Sequence, residues 1–98
     1  MFHVVTTRSG PAYDHTLPLE DQAGWAEHAA FMDDLVRRGF VVLGGPLADE
    51  RRVVMAVSAA STDDVRATLA RDPWHQSHLV TDSVDCWTIR LDGRAAGA

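Results

Sequence analysis

The chain has 98 residues, 46% hydrophobic and 23% charged, with a formal net charge of -5. That length supports one domain and one core, burying roughly 65% of the unfolded surface, and the composition excludes a disordered chain. The acidic balance, with nine arginines spread along the chain and no lysine, leaves no basic stripe to follow a phosphate backbone, so nucleic acid is not an expected partner.

Cys86 is the one cysteine, so no intrachain disulfide and no cysteine metal cluster is expected, which suits a reducing cytoplasm. Residues 1–8 lack the basic start and apolar run of a signal peptide. No apolar stretch approaches the ~18 residues of a membrane span, so neither export nor a membrane is expected.

In chain order, Phe2-His3-Val4-Val5-Thr6-Thr7 reads as a first strand closed by Ser9-Gly10-Pro11. Residues 12–19, preceded by Pro11 and holding Pro18, show no helical period and read as a loop. A helix is expected from about Asp21 to Gly39, with Trp25, Ala29, Met32, Leu35 and Val36 on one face. His28 falls on that apolar face. Phe40-Val41-Val42-Leu43 is a continuous apolar run that reads as a strand buried on both faces. Residues 44–52 form a polar turn, and 53–58 resume as a strand. Ser61-Thr62-Asp63-Asp64 opens a second, shorter helix with a capping box. Pro73 ends it and places Asp72 at its exit. A last strand is expected over about 84–91. Residues 1–92 form the domain, with 93–98 as a frayed tail.

Strand, helix, strand, strand, helix, strand is the order of an α+β ferredoxin-like βαββαβ sandwich, with both helices on one face of an antiparallel sheet. Val41, Leu43, Val53, Val54, Val57, Trp87 and Ile89 leave little polar surface for the second face. A homodimer with two sheets face to face is therefore expected.

Acid-base chemistry needs a group titrating near neutrality, held in a partly dry pocket and oriented by a second group. His28 and Asp72 are the candidate pair, since sandwich packing brings the start of the first helix near the exit of the second. Pattern alone favours the plainer reading, a hydrogen-bonded core histidine and a helix-ending carboxylate before proline. His75 and His78, three apart after Trp74, fall short of the three or four ligands of a zinc site and read as a solvated turn. Gly44 and Gly45 offer backbone N–H groups or simply a turn before Pro46. Tyr13 and His15 are placed for a pocket mouth, and Cys86 reads as buried core filler.

Trp25-Ala26-Glu27-His28, the run 35–46 with Arg38-Gly39, then Gly44-Gly45-Pro46-Leu47, and Asp72-Pro73-Trp74 together resemble the YCII-related (YciI-like) family over most of the chain. The resemblance implies a dimeric α+β barrel and an active site on His28 and Asp72. Relatives in that family include a dehydrochlorinase acting on a chlorinated hydroxyquinol-type aromatic, and the fold class includes muconolactone isomerases. Family members often carry an arginine where this chain has Trp25, which favours an apolar or aromatic ligand here. The expected function is elimination or isomerisation of a small cyclic or aromatic compound by a His28–Asp72 acid-base pair, with no metal or organic cofactor. Trp25, Tyr13, Gly45, Pro46 and Trp74 are the expected substrate contacts. The alternatives are a non-catalytic dimeric ligand-binding or accessory domain, and a structural oligomerisation domain without a cavity beside His28.

Overall fold

The computed structural model of the chain describes residues 1–96. Its elements are β1 (Phe2–Thr7), a 3-10 turn (Leu19–Asp21), α1 (Trp25–Arg37), β2 (Val41–Pro46), β3 (Arg52–Val57), α2 (Thr62–Leu69), β4 (Val80–Cys86) and a short α3 (Gly93–Ala96). The four strands form one antiparallel sheet in the order β2-β3-β1-β4. This α+β arrangement of four strands and two principal helices is compatible with the ferredoxin-like fold. Residues 97–98 of the expected tail lie outside the described residues.

Alternation along β1 sets the layers. Phe2, Val4, Thr6 and then Arg8 are buried, while His3, Val5 and Thr7 are half-buried on the other face. Phe2 and Val4 join Leu35, Val41, Met55, Val57, Val65 and Leu69 in one core between sheet and helices.

Helix α1 starts later than the sequence suggests. Gly24, at φ 77°, precedes it in the left-handed region, where an L side chain is strained. Upstream, the buried Gln22 side chain donates to the Asp14 and Leu17 carbonyls and accepts the Asp14 N–H, which fixes residues 14–22 as a closed loop. The helix ends as its Gly39 predicts. With Gly39 at φ 78°, its N–H donates to Val36 O at 3.0 Å and the Phe40 N–H to Leu35 O at 2.9 Å, a Schellman closure. Ser61 caps α2, its Oγ accepting the Asp64 N–H at 3.1 Å.

Two expectations about the sheet are corrected. The last strand runs over Val80–Cys86, not 84–91. Its register is set by β1, where Thr7 faces Val80 and Phe2 faces Cys86. The Trp87 N–H donates to the Met1 carbonyl at 2.8 Å, and among the described residues no strand pairs with the apolar positions beyond it. Cys86 is accordingly exposed rather than buried filler. The open face is also less apolar than expected. Val41 and Val57 belong to the core, and Trp87 and Ile89 lie beyond β4. The face keeps Val5, Val54, Ala56, Val80 and the 58%-exposed Leu43, with the Trp87 ring against His3 at 5.3 Å, set among Thr7, Arg52, Ser83 and Asp85.

Candidate active site

The segment 70–79, between α2 and β4, is built around Asp72. After the last helical turn, the Asp72 N–H donates to Leu69 O at 3.1 Å. Pro73 then prevents the helix from continuing. The Asp72 carboxylate closes the next turn on itself, Oδ1 accepting the Trp74 N–H at 2.8 Å, an Asx-turn. The His75 N–H returns to Asp72 O, and the His78 and Leu79 N–H groups both reach Trp74 O. Gln76, at φ 64°, lets the chain reverse.

That turn delivers Asp72 to His28, which lies in the first turn of α1. His28 Nδ1 is 2.8 Å from Asp72 Oδ1 and 2.9 Å from Oδ2. Both residues are buried, at 9% and 8% exposure. A carboxylate only accepts hydrogen bonds, so it is Nδ1 that carries the proton and Nε2 that has the lone pair in the neutral ring. Nε2 makes no hydrogen bond among the described residues.

Trp74 fixes the plane of that imidazole. Its ring stacks on His28 with centroids 4.2 Å apart and planes 7° from parallel. Its own Nε1–H donates to Ala23 O at 2.8 Å, locking the indole to the entry of α1. His78 stacks on the same indole at 4.5 Å, its plane 15° from parallel. Trp25 borders both His28 and Trp74, with centroids 5.9 and 5.8 Å away.

His78 is thereby a buried group and not the solvated turn its sequence suggests. Its Nδ1 lies 2.9 Å from Ser77 Oγ, while its Nε2 is buried without a partner. Burial pushes its pKa below the usual histidine value, the neighbouring His28 acts in the same direction, and Asp72 opposes them. The balance favours the neutral ring. Among the described residues no group of His, Cys, Asp and Glu is arranged to hold a metal ion.

His28 and Asp72 line a cavity of about 490 Å³ between the helices and the sheet. Trp25, Gly45 and Trp74 line it too, and its walls are largely apolar, with Met32, Val36, Val41, Val53, Met55 and Leu69. A Cβ on Gly44 would stand 3.0 Å from Met55 Cγ, tighter than ordinary contact, so that side chain would have to shift. Tyr13 and Pro46 lie elsewhere, lining a neighbouring hollow under the 13–20 loop. Tyr13 turns towards the edges of Trp74 and His78, at 6.3 and 6.2 Å, and β2 carries Pro46 past the cavity's end.

Arg8, which sequence reasoning passed over, lines both spaces. It is 9% exposed. The signal was the period of two: Phe2, Val4 and Thr6 face the helices, and Arg8 is the next residue in phase.

The fold and the site together define a small α+β domain with a buried, carboxylate-oriented histidine at the wall of a ligand-sized cavity. No protein-family model, no curated protein and no solved structure matches this chain.

Proposed function

We propose that this protein is a small enzyme of the YciI-like kind, in which His28 moves a proton to or from a small cyclic or aromatic substrate during an elimination or isomerisation. One observation carries the reading: a buried imidazole is bonded through Nδ1 to Asp72, and its other nitrogen makes no hydrogen bond among the described residues, beside a cavity of about 490 Å³. In the forward step Nε2 takes a proton from carbon, and the electron pair left behind forms the new double bond as a leaving group departs or a bond shifts. Asp72 stabilises the resulting imidazolium, and the Trp74 face keeps the ring from turning. Such acid-base help contributes typically ~100 to 10,000-fold.

The test is a panel of ring compounds bearing an acidic C–H next to a leaving group, read by release of that group. His28→Ala should lower turnover ~100-fold or more while the protein still folds. Unchanged turnover would overturn the proposal. The rival, a non-catalytic ligand-binding domain with His28 as a hydrogen-bonded core group, draws on the same burial. It requires that His28→Ala cost stability while no member of the panel turns over. For assembly, the apolar residues of the open sheet face favour a homodimer built sheet to sheet, closing an α+β barrel.

A further inference from the structure

We infer that the cavity takes a monocarboxylate, and that Arg8 is the residue that binds its charge. This rests on reading the cavity as a substrate site, and it concerns which substrates enter rather than how they react. Arg8 is more than nine-tenths buried at the end of β1. The guanidinium's hydrogen bonds to protein use a single nitrogen: Nη1 donates to the Glu50 carbonyl at 2.8 Å and to Glu50 Oε2 at 3.1 Å. Nε and Nη2 have no hydrogen-bond partner among the described residues. A guanidinium has five N–H donors in a planar fork, and the pair left over is the edge that fits a carboxylate bidentately.

Holding the β2–β3 turn does not account for this burial. The Glu50 side chain is 71% exposed, and an ion pair with a solvated partner offsets little of the cost of desolvating arginine. A ligand carboxylate arriving from the cavity side would complete the coordination. Among the described residues Arg8 is the one arginine lining the cavity, and Asp72, in the same lining, is already engaged by His28 and the Trp74 N–H. Arg8 already shares its charge with the solvated Glu50 carboxylate, so a single further negative charge is better compensated than the two of a phosphate dianion. Thr6, two residues earlier on the same face of β1, is paired with Thr81 across β1–β4, and both line the cavity. Their hydroxyls are further donors for the same group. The rest of the ligand meets Met32, Val41 and Met55, so an apolar ring with one acid group matches both ends of the space.

Benzoate and its uncharged isostere benzamide are the probes, titrated against the whole protein while the fluorescence of Trp25 and Trp74 is followed. Benzoate should bind saturably and about tenfold or more tightly than benzamide, as expected for a charge-assisted pair. Arg8→Met should remove that preference and leave benzamide binding unchanged. Glu50→Gln, which keeps the guanidinium and takes away its competing carboxylate, should tighten benzoate. Absence of saturable benzoate binding, equal affinities in the wild type, or a preference that survives Arg8→Met overturns the proposal. If Arg8→Met fails to fold, Glu50→Gln decides: tighter benzoate supports the assignment and unchanged benzoate overturns it. Binding needs no proton transfer, so His28→Asn should still prefer benzoate. A failure of the acid-base reading therefore shows in turnover, and a failure of this one shows in the benzoate preference.

Discussion

Asp72 holds two buried N–H donors with one carboxylate, and the cost of removing it follows from what is left behind. Asp72→Ala strands the His28 Nδ1–H and the Trp74 N–H, and each buried donor without a partner costs about 1–3 kcal/mol. A fall in the urea midpoint of that order, with the denaturant slope unchanged, is the expected result. His78 gives a pH-dependent counterpart. Its folded pKa lies below the ordinary 6.5 because burial opposes the charge. As pH falls below about 6.5 the unfolded chain takes up a proton that the folded ring still refuses. Unfolding then binds a proton, and stability declines until the folded imidazole titrates as well. His78→Phe keeps an aromatic ring against Trp74 and removes both the titration and the orphaned Nε2. Its stability, relative to the wild type, should improve as pH is lowered from 7 to 5, measured by urea denaturation at each pH. A constant difference across that range would mean that His78 does not set the slope.

At the scale of elements, the site depends on how closely the 9–19 loop approaches the 70–79 segment. Gly10 donates to His78 O at 3.1 Å and the Ala12 N–H to Ser77 O at 2.7 Å. A Cβ on Gly10 would stand 2.3 Å from the Ser77 carbonyl oxygen and 2.7 Å from the His78 nitrogen. These are backbone atoms, which no rotamer change can move aside. Gly10→Ala should therefore cost roughly 1–3 kcal/mol, the range of an overpacked core, and should loosen the His78 stack, seen as a changed Trp74 fluorescence. Little of this was legible in the sequence, where Ser9-Gly10-Pro11 says only that a turn occurs. Helical period and the Asp-Pro step marked His28 and Asp72, because both signals are local. Arg8 escaped because a charge at the end of an alternating strand looks solvated until its face is known. β4 was misplaced for a related reason. Trp87, Ile89 and Leu91 carry the stronger apolar signal, yet the pairing partner that β1 offers ends opposite Cys86.

At the scale of the whole molecule, the two faces of the sheet differ in how completely this chain covers them. The helices close one face over the core, whereas the other leaves Val5 paired with Val54, and Leu43 paired with Ala56, at its centre. Isolated exposed apolar residues are ordinary, but a contiguous cross-strand group is what the proposed sheet-to-sheet homodimer would bury. The polar residues around it, His3, Thr7, Arg52, Ser83 and Asp85, would form the rim of that proposed two-fold interface. If the sheets meet in this way, a charge in the centre must be desolvated twice, once from each copy. Val54→Glu, half-buried and pointing away from the core, should leave the monomer fold intact and abolish the dimer. Sedimentation velocity should then give a dimer for the wild type and a monomer for the variant. The linked consequence is a concentration-dependent midpoint of thermal unfolding for the wild type alone, because only an associating chain gains stability from mass action. A wild type that sediments as a monomer at all concentrations would mean that the open face is solvated in this protein, with His3, Thr7, Ser83 and Asp85 polar enough to keep Val5, Leu43 and Val54 in water.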